Sequence, residues 1–111
     1  MNDLTQINQE NERLAALKSY NILDTKPEKD FDDIAELASQ ICQVPISSIT
    51  LMDKDRQWFK SKVGFDYTEV PIENSFCSYL MMNNMKEIEV ENMKIHPYFQ
   101  TNPHVIGEPN I

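Results

Sequence analysis

The sequence predicts a mixed α+β fold: a mainly antiparallel sheet with N-terminal helices on one face. Three observations point to it. Residues 44–64 hold two runs rich in β-branched and aromatic residues on either side of Asp53-Lys54-Asp55-Arg56, a β-hairpin signal. Two stretches of helical periodicity precede that hairpin, and loops, a short helical run and an alternating segment follow it. The chain has 111 residues, enough for one domain with a single core.

Composition excludes several classes of function. Apolar residues make up 41% and charged residues 25%, the balance of an ordinary globular protein. A net charge of −8 argues against nucleic-acid binding, which needs clustered Lys and Arg to neutralise phosphates. No apolar run approaches the roughly 18 residues that span a bilayer, so no membrane association is expected. The start, Met-Asn-Asp-Leu-Thr-Gln, lacks the basic and apolar regions of a signal peptide, and the cytoplasm is the expected compartment. Two cysteines, Cys42 and Cys77, are too few for a disulfide framework and fit reduced thiols. With two glycines in all, no Gly-rich phosphate loop can be drawn.

Residues 1–8 are polar and expected to fray. Asn8 to Tyr20 is rich in strong helix formers. Leu4, Ile7, Leu14 and Leu17 fall near one face, with Asn11 at a seam position. That face either docks the helix on its own domain or pairs it with a second copy, where a single polar Asn can set register. Asn21 to Thr25 breaks the helix. Thr25-Lys26-Pro27-Glu28 resembles a capping box, with Pro27 tolerated in a first turn. Glu28, Asp30, Asp32 and Asp33 then crowd a helix start, where the helix dipole favours negative charge. Phe31, Ile34, Leu37, Ala38, Ile41 and Cys42 form a stripe predicted to face the core, which makes Cys42 a small buried hydrophobe.

Pro45 ends the second helix and opens strand one. Ser47, Ile49 and Leu51 point to one side of it, and Ile46, Ser48, Thr50 and Met52 to the other. Neither side is charged, so the strand is expected to be central and covered on both faces. On strand two, Trp58 shares a side with Lys60 and Lys62, and Phe59 with Ser61 and Val63. The lysine side is expected to be the wetter, with lysine stems over Trp58. Residues 65–73 read as a loop with large apolar members. Asn74 or Ser75 caps a short helix through Met82 that ends at Asn83-Asn84. Glu87-Ile88-Glu89-Val90 alternates and reads as an exposed third strand. A helical turn is expected around His96-Pro97-Tyr98-Phe99.

Asn11 to Thr25, Phe31 to Ala35, Asp53 to Ser61, Val63-Gly64, Ser75-Phe76-Cys77, His96 to Phe99 and Gly107 to Ile111 together resemble, in order and spacing, a bacterial subgroup of GAF domains. Members of that subgroup stand ahead of histidine kinase or diguanylate cyclase modules. The resemblance implies a non-enzymatic module of signal transduction that binds a small molecule or carries its signal through dimer contacts; a dimerisation remnant with no ligand is an alternative. In that family Gly-Glu-Pro is followed by a strand, a further hairpin and a final helix. These C-terminal strands are missing here, so the resemblance covers an N-terminal two-thirds of the domain. Residues 1–25 would be helix and linker, and residues 26–111 a partial domain. Strand one would then keep an unpaired edge open to another chain. A homodimer through the N-terminal helix or that edge is the expected assembly.

The resemblance places a ligand pocket between the sheet and segments 65–82 and 91–106. Phe59, Phe76, Cys77, Tyr79, Met81, Met82, Tyr98 and Phe99 either line it or fill a second core. The cofactor is unknown, and the sequence does not name the ligand. Cys77 invites a second reading, a cysteine-dependent enzyme of the free methionine sulfoxide reductase kind, because a helix start can lower a thiol pKa. Neither that chemistry nor the attachment of a bilin to a cysteine, which some GAF domains carry out, has its surrounding motif here. Cys42, Cys77, His96 and His104 match no zinc spacing.

Overall fold

The computed structural model describes residues 3–107. Helices α1 (Asp3–Ser19) and α2 (Lys29–Cys42) lead into strands β1 (Ser47–Met52), β2 (Arg56–Val63) and β3 (Glu69–Pro71). Helix α3 (Phe76–Met82) and the four-residue α4 (Pro103–Ile106) follow, so the chain has the expected α+β class. The three strands lie in the order β1-β2-β3, with both pairings antiparallel.

No Gly or Pro interrupts residues 3–19, and α1 starts at Asp3 rather than Asn8. The expected fraying therefore does not apply to residues 3–8, and residues 1–2 lie outside the described residues. Leu14 and Leu17 are half-buried and Ile7 is exposed, so only the C-terminal half of the apolar face packs on the domain. Arg13 fastens α1 to the hairpin by donating from Nη1 to the carbonyl of Met52, and it holds Glu10 at 2.6 Å.

The capping box at Thr25–Glu28 does not form. Glu28 stands at the N-cap of α2 without a side-chain cap bond, because Thr25 and Glu28 both turn to Lys60 on β2. The helix ends one step before Gln43, whose left-handed backbone (φ 54°) returns its N–H to the carbonyls of Gln40 and Ser39. The predicted core stripe is a second correction. Ala35 is 1% exposed, whereas Ile34, Leu37 and Ile41 are 57%, 55% and 71% exposed. Ala38 and Cys42 are exposed as well. The contact face of α2 runs instead through Phe31, Ala35 and Ser39, spaced i, i+4, i+8. Ala35 has almost no side chain to hold the helix off the sheet.

The hairpin turn forms as expected. Asp53 N–H donates to the Arg56 carbonyl at 2.9 Å, and the Asp53 side chain accepts from Lys54 N–H at 2.8 Å. Gly64 ends β2 at φ +93°, where a Cβ would lie 2.2 Å from the Pro45 carbonyl oxygen, so only glycine fits. Within β2 the pairing runs Ile49 to Ser61 and then Thr50 to Phe59, which leaves Lys60 as the extra residue of a β-bulge. The bulge breaks the alternation, and Lys60 and Ser61 both meet α2. Trp58 and Lys60 are buried, so the lysine side is the helix-covered side, not the wetter one.

Two further expectations fail. The third strand is Glu69–Pro71, inside the predicted loop, and residues 87–90 form no strand. The nearer segment reaches the free edge of β2 through a shorter loop, at a smaller closure cost. β1 is an edge strand with no second neighbour among the described residues, and it is only partly covered. Its expected central position is not found, because no further strand lies beside it among the described residues. Among the described residues, no helix is long and apolar enough to cross a membrane. Of the Gly107–Ile111 portion of the family pattern, residues 108–111 lie outside those described.

Candidate functional site

Alternation on the sheet separates two surfaces. Ile46, Ser48 and Thr50 of the β1 segment and Gln57 and Phe59 of β2 face away from α2. Over them lie the 65–74 segment and the start of α3. Between these parts is a cavity of about 160 Å³. Ile46, Ser48, Gln57 and Phe59 form its floor. Phe65, Tyr67, Val70, Asn74, Phe76, Cys77 and His104 form its walls.

Rings dominate the lining. Phe59 meets Phe65 at 4.9 Å and Tyr67 at 5.8 Å between centroids, both edge to face. Tyr67 lies 5.1 Å from the His104 ring. Such pairs contribute about 0.5–1.5 kcal/mol beyond their burial, and they stiffen the walls. Burial pushes the Tyr67 hydroxyl pKa above its ordinary value. No acid, lysine or arginine lines the cavity.

The polar groups nearby mostly hold α3 in place. Ser75 is the N-cap of α3, and its Oγ accepts from Ser78 N–H at 3.2 Å. The same hydroxyl donates to Gln57 Oε1, and Gln57 Nε2 donates to Cys77 Sγ at 3.4 Å. Gln57 thus clamps the first turn of α3 onto the sheet. Burial pushes the Cys77 thiol up, against smaller opposing contributions from hydrogen bonds with Thr50 and Gln57. A raised pKa leaves less thiolate at neutral pH, the reverse of what an activated cysteine needs. His104 Nδ1 is a buried nitrogen with no hydrogen-bond partner.

Phe59, Phe76 and Cys77, of the candidate ligand residues, come together at this cavity. Tyr79, Tyr98 and Phe99 lie elsewhere, in a ring cluster that pins the 96–99 turn on α3. Tyr79 stands 4.7 Å from Tyr98 and 5.1 Å from Phe99, and His96 stacks 4.6 Å from Phe99. Phe76, 5.5 Å from Phe99, joins this cluster to the cavity. Met81, Met82 and Tyr98 border a different cleft of about 230 Å³, beside Glu10 and Arg13 of α1 and Asp53 of the hairpin turn. Among the described residues, no three or more His, Cys, Asp or Glu gather where they could hold a metal ion.

Gln57, Phe65 and Tyr67 are not among the residues that the sequence marks as ligand candidates, and the sequence raises His104 only as a zinc ligand, not as a wall of this cavity. Gln57 was within reach, since period two puts it on the face of Phe59. So was the setting of His104, because Asn102-Pro103 is an N-cap followed by a first-turn proline. Asn102 Oδ1 accepts from His104 N–H at 2.8 Å. Nothing local marked Phe65 and Tyr67 as wall residues, because β3 folds their loop back over the sheet.

No family model matches the chain. Over 102 residues, 92% of its length, the chain is 33% identical to a cyclic di-GMP phosphodiesterase of Pseudomonas aeruginosa. It spans 17% of that protein's length.

Proposed function

We propose that this chain is a GAF-like sensory module of a bacterial cyclic di-GMP signalling protein, non-enzymatic in itself, which binds a small molecule in the sheet-face cavity. The observation that carries the reading is that cavity, walled by rings and standing where the family resemblance puts a ligand pocket. Pockets for small molecules are mostly apolar with a few placed polar groups. The similarity to a cyclic di-GMP phosphodiesterase supports the signalling context, and the hydrolytic activity of that protein is not assigned to this chain.

Occupancy has a physical route out of the site. β2 carries Gln57 and Phe59 at the cavity, and Arg56 and Lys60 of the same strand grip the linker before α2. Any shift of β2 is therefore felt by the linker and α1. The module acts in this reading as a homodimer, through α1 or the unpaired edge of β1. Burial of the Cys77 thiol weighs against the reductase alternative.

Two-dimensional NMR of the 111-residue chain, titrated with a library of small metabolites, tests the reading. Shifts should cluster on Phe59, Phe65, Tyr67, Phe76 and Cys77, and Cys77→Ser should leave binding within about threefold. A library that moves none of these signals overturns the reading. Loss of binding in Cys77→Ser with turnover of a sulfoxide in the wild type overturns the non-enzymatic part of it.

A further inference from the structure

We infer that the cavity takes a small uncharged ring compound, the size of phenol or indole, and excludes nucleotides. This rests on the sensory reading and narrows its ligand. Size is the first argument. The cavity measures about 160 Å³. A protein cavity of about 150 Å³ with apolar walls is known to hold benzene. A cyclic dinucleotide, with its paired bases, sugars and phosphodiesters, is several times too large.

Charge is the second argument. None of the lining residues is an acid, a lysine or an arginine. Of the three cations of the same strand, Lys60 is engaged with Glu28 at 2.6 Å and Arg56 with Asp24 at 2.8 Å on other surfaces, and Lys62, across from Ser48, stands outside the lining. A phosphate or carboxylate enclosed by the lining would be desolvated with no opposite charge among the groups that touch it, which is strongly unfavourable.

Shape is the third. Phe59, Phe65 and Tyr67 meet one another as edge-to-face and tilted pairs, so the walls present both ring faces and ring edges. A flat aromatic guest continues that packing. Ser48, at the outer edge of the floor on edge strand β1, is exposed and forms the mouth of the cavity, so a polar substituent on the guest can stay hydrated there. The module would then report a metabolite chemically unrelated to the nucleotide handled by the signalling protein.

The test is calorimetric titration of the full chain with phenol, indole, benzoate and cyclic di-GMP. Phenol and indole should bind with Kd of about 0.1–1 mM. Benzoate should bind at least about tenfold more weakly, from the cost of burying its charge. Cyclic di-GMP should give no heat of binding. Ser48→Phe, on an exposed strand position that favours aromatic residues, should fill the mouth and weaken phenol at least about tenfold. Cys77→Met, which intrudes from the opposite wall, should do the same and serves if Ser48→Phe does not fold. Benzoate or cyclic di-GMP binding as tightly as phenol, in a manner lost in either variant, overturns this inference and leaves the sensory reading standing. Phenol binding unchanged in both variants overturns it as well. Failure of all four compounds overturns it too, and the metabolite titration then decides separately whether the cavity binds anything.

Discussion

The two faces of the sheet are built from the same strands by opposite chemistry. On the cavity face Phe59 packs against rings, and Gln57 engages Ser75 and Cys77. On the helix face the bulged Lys60, 4% exposed, is fully engaged. Its ammonium donates to Thr25 Oγ1 and the Lys26 carbonyl, each at 2.7 Å, meets Glu28 at 2.6 Å and lies 5.5 Å from the Phe31 ring centre. Next to it Ser61 Oγ donates to Asp32 Oδ1 at 2.6 Å. The helix face joins these directional bonds, each with a named partner, to the close packing of Trp58 and Ala35. The cavity face joins ring packing to the few bonds of Gln57 and leaves space. The difference teaches where the chain holds itself together and where it can accommodate something else.

Paired truncations of the two faces should give the largest effects. Phe59→Ala should cost about 3–4 kcal/mol, the loss of a buried ring with partial collapse of its site. Lys60→Ala should cost about 2–3 kcal/mol, less than the full penalty of a broken buried pair because Glu28 is 59% exposed and rehydrates. Denaturant melts measure both. A larger loss for Phe59→Ala in stability, with the linker amides more altered in Lys60→Ala, sustains the contrast; equal patterns of amide protection in the two variants would break it.

Ser75→Ala comes next. It removes the cap of α3 and the bond to Gln57, for about 1–2 kcal/mol. Its hydrogen-exchange effect should concentrate on α3 and the cavity wall and leave α2 unchanged, which sharpens the separation of the faces.

Acid gives the smallest effect. The Lys54 backbone N–H, and then Arg56, hold the Asp53 carboxyl below its ordinary value. A carboxyl with a lowered folded pKa stabilises the fold above its unfolded value, near 4, and that contribution is lost as pH falls through the folded value. Stability should therefore stay level from about pH 8 to pH 5 in this respect and decline below about pH 4. Asp53→Asn should lower the plateau by no more than about 1 kcal/mol and converge with the wild type at low pH. Melts between pH 2.5 and 8 check this.

How legible all this was in the sequence depends on range. The hairpin, its Asp53–Arg56 turn and the Ser75 cap follow from neighbours a few residues apart. The α2 stripe is a true periodic pattern that does not face the core, because periodicity shows that Ile34, Leu37 and Ile41 share a face but not which face meets the sheet. Of the candidate ligand residues, Phe59, Phe76 and Cys77 reached the cavity. Tyr79, Tyr98 and Phe99 did not, since aromatic residues in a loop and a helix can pack on each other as readily as on a ligand.

The sequence by itself determined the α+β class, the order of helices and hairpin, the absence of charge on β1 and the glycine at position 64. These depend on propensity, period and turn chemistry, which act over a few residues. The tertiary structure decided the bulge that buries Lys60, the rotation that seats α2 on Ala35, the choice of Glu69–Pro71 as third strand and the cavity under Tyr67 and His104. Each of these compares ways of joining distant surfaces. The outcome turns on close approach, on loop length and on which buried polar groups find partners, quantities that exist only once the surfaces have met.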